Sequence, residues 1–279
     1  MKALPLYRRF PRRTWTRMLG WYAKSPWSRP AISFFIKRYQ VDLSELAKPV
    51  SDYRTLAEFF SRRLVPGARP LDDDPEVLLS PCDGVLVQQG VLTGGHFIQA
   101  KGQTYGVDEL LALESDVARK FLNGCYWTIY LHPRDYHRVH APASGKIVGY
   151  GHVPGTLYPV NPGAAERVPR LFLQNERVIF YLDTAWGIVA VVMVGALGVG
   201  SIALPMALEL PSHRGRGTVE SVWFRSPKAV ARGEELGAFT LGSTVIVVAE
   251  ASTATLTPEI VGTFLRMGRP LGRFAREEG

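Results

Sequence analysis

The serine at position 243 is the residue of this sequence best placed to act as a nucleophile. It stands in the run Leu241-Gly242-Ser243-Thr244, directly before the apolar stretch Val245–Val248. Gly242 has no Cβ, so the Ser243 hydroxyl can approach the carbonyl carbon that precedes it. A lone Gly-Ser pair at the start of a strand is usually only a turn, so the motif indicates catalysis only if other reactive groups lie beside it.

Histidines are concentrated in one segment, and histidine is the side chain that exchanges protons most readily near neutral pH. Three of the six fall within nine residues, at His132, His137 and His140. In an extended strand His137 and His140 would point to opposite faces, whereas a turn would bring them together. Zinc is a further alternative, but no Cys, Asp or Glu has a recognisable spacing to complete a ligand set. Hydrogen-bonded histidines in a turn are the simpler structural interpretation.

Asp83 adds the third residue type of a charge relay. It lies in Ser80-Pro81-Cys82-Asp83-Gly84, ahead of an apolar run, where an aspartate often serves only the turn. Together with a histidine and a serine it could instead support nucleophilic attack. The two cysteines, Cys82 and Cys125, form no CxxC pair and are interpreted as buried, unreactive thiols.

Short β-rich runs separated by glycine and proline must position these groups. From about residue 79, segments rich in Val, Ile, Tyr and Phe predict strands over 84–88, 126–131, 145–150, 177–183, 187–194, 198–204, 218–224 and 243–249. The segment 107–122 has helical spacing, and the pattern weakens beyond Glu250. The sequence therefore predicts an α+β protein with a mainly antiparallel β core domain and an N-terminal amphipathic helical region.

An uncharged stretch from Thr184 to Leu208 is long enough to cross a bilayer. Its glycines would weaken a helix, however, and its clustered valines favour strands that are buried on both faces. Two buried strands, over 187–194 and 198–204, are predicted in place of a membrane-spanning helix. No signal peptide is indicated, because the N-terminus lacks an apolar segment followed by a small-residue cleavage site.

The first 65 residues have the periodicity of amphipathic helices. Two apolar stripes recur at helical spacing, formed by Ile32, Phe35, Ile36 and Tyr39 and by Leu56, Phe59, Phe60 and Leu64. Thr55 and Glu58 have capping-box spacing just ahead of the second stripe. We expect the second stripe to pack on the protein's own core, while the first could face lipid.

The N-terminal segment is also strongly basic and aromatic. Residues 1–40 contain ten Lys and Arg and no Asp or Glu, whereas the whole chain has a net charge of +8. Nine aromatic residues are interleaved with these cations, a combination typical of a surface at the headgroups of an anionic membrane. A transit peptide fits less well because serine is scarce, a solvated arm would leave the aromatic rings in water, and no nucleic-acid motif is present.

Taken in order, these pieces resemble the phosphatidylserine decarboxylase family, and the LGST form resembles its bacterial type. The resemblance extends from about Trp15 to at least Val248, except that the region just after Leu208, which includes 211–217, aligns poorly. It rests on Tyr53-Arg54-Thr55, Glu58-Phe59-Phe60, Arg69-Pro70, Asp83-Gly84, Ala100-Lys101-Gly102, Asp135–His140, Val153-Pro154-Gly155, Val160-Asn161, Asn175-Glu176-Arg177 and Leu241–Thr244.

The resemblance implies that Asp83, His140 and Ser243 form a triad for self-cleavage between Gly242 and Ser243. His140 would take the Ser243 proton as general base, and Asp83 would orient the imidazole. The hydroxyl oxygen would attack the Gly242 carbonyl, and elimination followed by hydrolysis would leave a pyruvoyl group at position 243. The products would be a β chain of residues 1–242 and an α chain of residues 243–279.

The resemblance also implies the reaction and its setting. The pyruvoyl group, derived covalently from Ser243, would form a Schiff base with phosphatidylserine and accept electrons as carbon dioxide leaves, with no pyridoxal phosphate and no metal. His137 would protonate the carbanion or position the carboxylate, and phosphatidylethanolamine would be released. A homodimer of processed protomers, peripheral on the cytoplasmic face of the cell membrane, is implied as well.

Two other classes of protein stay open on the residues alone. A Ser-His-Asp hydrolase acting on a lipid or ester would use the same side chains, although its serine usually lies in a GxSxG elbow. A non-enzymatic membrane-binding protein would explain the basic N-terminus but not the set Asp83, His137, His140 and Ser243. We expect residues 1–65 to associate with a membrane and residues 66–279 to form the β-rich catalytic domain.

Overall fold

The computed structural model describes residues 12–100, 103–196, 202–203, 219–239, 243–251, 253–256 and 261–274. Gly242, on one side of the predicted cleavage site, lies outside the described residues, as do Leu241, Lys101 and Gly102. Only residues 202–203 of the strand predicted over 198–204 are described as a strand.

Helices occupy the first part of the described chain. They are α1 (Arg12–Lys24), α2 (Arg29–Tyr39) and α3 (Leu56–Phe60), with 3-10 turns at Pro26–Ser28 and Val50–Asp52. Thr55 caps α3 as its spacing predicts, since its Oγ1 accepts a hydrogen bond from the Glu58 main-chain N–H at 3.1 Å. Glu58 bonds back to the Arg54 N–H at 2.8 Å rather than to that of Thr55.

The apolar stripe of α2 faces the protein. Ile32 and Phe35 are buried and pack with Phe59 and Phe60, which follow Thr55 on α3. The expectation that this stripe could face lipid is wrong, because α3 gives it a protein surface to pack on. Among the aromatic side chains described from residue 18 to residue 65, Trp21, Trp27 and Phe34 are the most exposed.

The remainder of the described chain is mainly antiparallel sheet, which confirms the predicted α+β class. In chain order the strands are β1 (Val77–Leu79), β2 (Gly84–Val91), β3 (His96–Ala100), β4 (Gln103–Gly106), β5 (Cys125–Leu131), β6 (Arg138–His140), β7 (Gly145–Val153), β8 (Arg177–Thr184), β9 (Gly187–Gly195), β10 (Ile202–Ala203), β11 (Glu220–Val230), β12 (Glu235–Phe239), β13 (Ser243–Ala249), β14 (Ala254–Leu256), β15 (Phe264–Leu265) and β16 (Pro270–Phe274).

An eight-stranded sheet, with the spatial order β11-β7-β8-β9-β13-β5-β2-β15, forms the centre of the fold. Two three-stranded sheets, β10-β12-β6 and β1-β16-β14, and the hairpin β3-β4 accompany it. β13 lies in the middle, with Val245 and Val247 in one core cluster and Ile246 and Val248 in another. Both of its faces are covered, which explains why this strand has a continuous apolar sequence and why its bounds match the prediction.

The uncharged stretch after Thr184 begins with a strand rather than a helix, as predicted, because β9 occupies residues 187–195. No helix in the described ranges is long and apolar enough to span a bilayer. The helix predicted over 107–122 is instead divided into α4 (Val107–Leu111), α5 (Ser115–Ala118) and a 3-10 turn, because α4 ends at Ala112 with a left-handed φ of 53°. Two more short helices are α6 (Pro162–Ala165) and α7 (Leu171–Gln174).

Candidate active site

Two chain connections end side by side at one end of the central sheet. β5 continues through residues 132–137 into β6, and residues 240–242 separate β12 from β13. β13 pairs with β5 while β12 pairs with β6, so the ends of the two connections must adjoin. The Phe239 N–H donates to the His137 carbonyl at 2.9 Å, and Ser243 stands opposite Leu131. This topology brings the histidine segment next to the serine.

Ser243 is the first residue of β13 and is fully buried. It lies between Leu131 of β5 and Gly195 of β9 in the strand register. Within the described part of the chain, no group forms a hydrogen bond with its Oγ. A buried hydroxyl without a partner destabilises a fold by about 1–3 kcal/mol, so such a group commonly marks a functional position.

His137, directly before β6, is held as a neutral imidazole. It is fully buried, and its ring centroid lies 4.0 Å from that of Phe60 on α3. Its Nδ1 donates to the Asp135 carbonyl at 2.9 Å, since a carbonyl oxygen can only accept. Burial and the nearby Arg62 cation lower the pKa of His137 to about 3. Nε2 therefore carries the lone pair, and no described group is bonded to it.

His140, at the end of β6, has different partners. Its Nδ1 donates to the Gly233 carbonyl at 2.8 Å, so its Nε2 accepts from the Tyr136 hydroxyl at 3.1 Å. Burial lowers the pKa of His140. The segment is extended from Arg138, so His137 and His140 have separate surroundings, as expected for a strand rather than a turn.

Asp83 forms its hydrogen bonds with Arg69 and with a main-chain N–H. Its carboxylate accepts from Arg69 Nε at 2.8 Å and Nη2 at 2.6 Å, and from the Met267 N–H at 2.9 Å. The Arg69 guanidinium lies 5.9 Å from the centroid of Tyr136, the partner of His140. The structure thus brings Asp83 and His140 into one region, but the hydrogen bonds of the described residues connect neither of them to Ser243.

Arg69 is a residue of this site that sequence reasoning missed. It is 14 positions from Asp83 and lies outside any local motif with it. In the sequence, Arg69 was indicated only as part of the Arg69-Pro70 pair that contributes to the family resemblance. An ion pair formed by tertiary packing cannot be recognised from the sequence, because the spacing of its two residues follows no helical or strand periodicity.

A cavity of about 320 Å³ opens beside Asp83. Charged side chains of both signs line it, among them Arg62, Arg69 and Asp135. Burial raises the pKa of the Asp135 carboxyl to about 6, and the carboxyl also accepts the His132 N–H at 2.7 Å. The cavity therefore contains, within the histidine segment, a carboxyl group that is protonated more readily than an ordinary aspartate.

Other reactive groups give no sign of further chemistry. Cys82 and Cys125 are buried and unpaired, and burial raises the pKa of each thiol, as expected for unreactive cysteines. Across the ranges that the structure describes, no three His, Cys, Asp or Glu side chains are arranged to hold a metal ion.

Comparison with known proteins connects this geometry to a family. The sequence profile described as phosphatidylserine decarboxylase matches residues 56–273. Three relatives are each named phosphatidylserine decarboxylase proenzyme. The protein from Brevibacillus brevis is 42% identical over 274 residues, which is 97% of each chain. That from Anaeromyxobacter sp. is 40% identical over 271 residues, 95% of each chain, and that from Myxococcus xanthus is 43% identical over 253 residues, 89% of this chain and 88% of its own.

This chain belongs to the phosphatidylserine decarboxylase family. It is therefore a decarboxylase, a carboxy-lyase, and neither the hydrolase nor the non-enzymatic alternative fits that membership. The matched segment contains Asp83, His137, His140 and Ser243.

Proposed function

We propose that this protein converts phosphatidylserine to phosphatidylethanolamine with a pyruvoyl group made from Ser243 by self-cleavage of the Gly242–Ser243 bond. The observation that carries the proposal is the fully buried Ser243 hydroxyl, unpartnered within the described chain, at the sheet end that also holds His137. The relatives' names support the substrate, and the word proenzyme in those names supports processing. The family is pyruvoyl-dependent in general.

The surroundings of position 243 fit such a group. Conversion of Ser243 would remove an Oγ that makes no hydrogen bond within the described chain, so loss of this hydroxyl would break no side-chain hydrogen bond there. The buried strand β13 would keep bulk water from the position. A pyruvoyl group there would supply a carbonyl that withdraws electrons from the substrate α-carbon.

In the self-cleavage we assign the general base to His140. Its Nε2 accepts from Tyr136, so displacement of that phenol would free the lone pair for the Ser243 proton. The Ser243 Oγ then bonds to the Gly242 carbonyl carbon as the Gly242–Ser243 C–N bond breaks, which converts the amide to an ester. Elimination across the Ser243 Cα–Cβ bond releases the Gly242 carboxylate, and water then replaces the nitrogen of the resulting dehydroalanine as ammonia.

Asp83 is proposed to assist His140 through its charge. Its carboxylate is fixed by Arg69, and its negative charge opposes the effect of burial on the His140 pKa. A carboxylate so placed would stabilise the imidazolium that forms when His140 takes the proton. In this account Arg69 positions Asp83 and contacts no reacting atom.

His137 is assigned to the decarboxylation step. Because its pKa is about 3, its Nε2 carries no proton at the outset and would first accept one from the substrate ammonium group. The protonated ring would then return that proton to the substrate carbon after carbon dioxide has left. The Asp135 carbonyl, which accepts the Nδ1–H, would hold the ring in place throughout.

We propose that residues 1–65 hold the enzyme on an anionic membrane surface and that residues 66–279 form the catalytic domain. Trp21 and Trp27 are 73% and 81% exposed, and Lys37 and Arg38 stand in the last turn of α2. Indole rings favour the headgroup level, where cations pair with lipid phosphates. The family resemblance supports the cytoplasmic face of the cell membrane and a homodimer of processed protomers.

Incubation of the purified protein with phosphatidylserine vesicles tests the activity. The expected products are phosphatidylethanolamine and carbon dioxide in equal amounts. Phenylhydrazine, which reacts with ketones, should abolish turnover. Release of fatty acid or free serine without carbon dioxide would overturn the proposal in favour of a hydrolase.

A further inference from the structure

A second cavity, of about 310 Å³, lies between the helical region and β6. Four cations line it, Lys48, Arg62, Arg63 and Arg138, against the single carboxylate of Glu58. That carboxylate already accepts hydrogen bonds from Lys48 Nζ at 2.6 Å and from the Arg54 N–H at 2.8 Å. Glu235, just outside the lining, pairs with Arg138 at 2.6 Å and Arg63 at 3.5 Å, and the four cations still exceed the two carboxylates.

Two buried side chains of this lining have donors without acceptors. Arg62 is only 4% exposed, and its Nη2 donates to the carbonyls of Arg134 and Asp135 at 2.5 and 2.8 Å. Its Nε and Nη1 have no acceptor among the described residues, nor does the hydroxyl of Tyr53, which is 2% exposed. Unsatisfied donors on a buried cation are strongly unfavourable unless a ligand or water accepts their hydrogens.

The two side chains are also close to each other. Tyr53 and Arg62 both line this one cavity. Lys48 Nζ lies 4.5 Å from the centroid of the Tyr53 ring, at the exposed side of the cavity. An anion in this cavity would therefore lie beside both side chains.

We propose that this cavity binds a phosphate group, from a lipid headgroup or a soluble phosphate, through the Tyr53 hydroxyl and Arg62 Nε and Nη1. A phosphate offers several acceptor oxygens and negative charge, which matches a guanidinium with free N–H groups and a phenol. The Asp135 carbonyl that binds Arg62 also binds His137 Nδ1, so the site adjoins the histidine segment without using Ser243. The inference does not rest on the pyruvoyl chemistry.

Calorimetric titration of the full-length protein with inorganic phosphate tests the site. Tyr53→Phe removes a hydroxyl that has no described partner, so the variant should unfold at the same temperature as the wild type without phosphate. Its affinity for phosphate should fall roughly tenfold, because a hydrogen bond to a charged group is lost. Tyr39→Phe, which alters a tyrosine outside this lining, should bind as the wild type does.

A second pair of variants does not depend on a buried residue. Lys48→Gln removes a partly exposed cation of the lining and should also weaken phosphate binding, whereas Arg119→Gln, an exposed cation elsewhere, should not.

Flotation with phosphatidylcholine vesicles, with and without phosphatidic acid, distinguishes the sources of the phosphate. If phosphatidic acid increases vesicle binding of the wild type but not of Tyr53→Phe, the bound phosphate belongs to a lipid headgroup. If Tyr53→Phe loses affinity only for inorganic phosphate, the ligand is a soluble anion. If neither probe distinguishes the wild type from Tyr53→Phe and Lys48→Gln, the donors bind water and the proposal is overturned.

Discussion

His137 is held by its neighbours as the neutral tautomer with the proton on Nδ1, so Nε2 is the ring atom that can accept a proton. Its Nδ1–H is committed to the Asp135 carbonyl, and its ring is covered by Phe60. The sequence indicated the histidine and the strand after it, and the resemblance supplied a role. Neither could indicate that the ring stays neutral, because its low pKa depends on burial against Phe60 and on Arg62, which are distant in the chain and reach it only through tertiary packing.

Substitution of His137 separates the two reactions that Ser243 would undergo. His137→Ala should still cleave between Gly242 and Ser243 but lower kcat for decarboxylation by roughly 10²–10⁴. Denaturing gels measure the cleavage, and carbon dioxide release measures turnover. His96→Ala, at an exposed histidine on β3, should change neither. Full turnover by His137→Ala would remove the residue from the mechanism.

The buried Asp135 carboxyl should make a pH-dependent contribution to the free energy of unfolding. Burial raises its pKa from 3.8 to about 6, so its contribution is fully present below pH 3.8 and is lost as the pH rises through about 6. A carboxamide cannot ionise, so Asp135→Asn should gain stability relative to the wild type as the pH is raised from about 4 to about 8, by up to about 3 kcal/mol. Urea unfolding at both pH values measures this difference. The exposed substitution Asp116→Asn should show little change, and a pH-independent difference for Asp135→Asn would contradict the account.

At the scale of elements, strands buried on both faces were the easiest to predict. β13 has an uninterrupted apolar sequence, and its bounds follow from that run. β15 and β16 were missed because they have only two and five residues, and β16 forms by pairing with β1, which begins at Val77. Their existence depends on partners distant in the sequence rather than on local periodicity.

The helical region allows a test of membrane contact. Trp21→Ala combined with Trp27→Ala should weaken binding to anionic vesicles by roughly tenfold or more, because both rings would otherwise insert at the headgroup level. The fold should be unaffected, since both side chains are largely exposed. Cosedimentation with vesicles measures binding, and Trp223→Ala, at a half-exposed tryptophan on β11, is the matched control. Equal binding by the double variant and the wild type would exclude these residues as the membrane contact.

At the scale of the whole molecule, the proposed cut would not separate the two products. The α chain would begin with β13, which is paired along seven residues with β9 and six with β5, and both of these strands belong to the β chain. β15 and β16 pair with β2 and β1 of the β chain as well. The processed protein should therefore remain one folded unit, and the cut should become visible only after denaturation.

Intact mass spectrometry of the denatured protein tests the central claim most directly. The account predicts two chains, residues 1–242 and 243–279, the smaller one blocked at its N-terminus by a pyruvoyl group. Ser243→Ala should instead give a single, inactive chain of 30.9 kDa, less the mass of one oxygen atom. A single uncut chain in a preparation that decarboxylates phosphatidylserine, or efficient cleavage of Ser243→Ala, would contradict it.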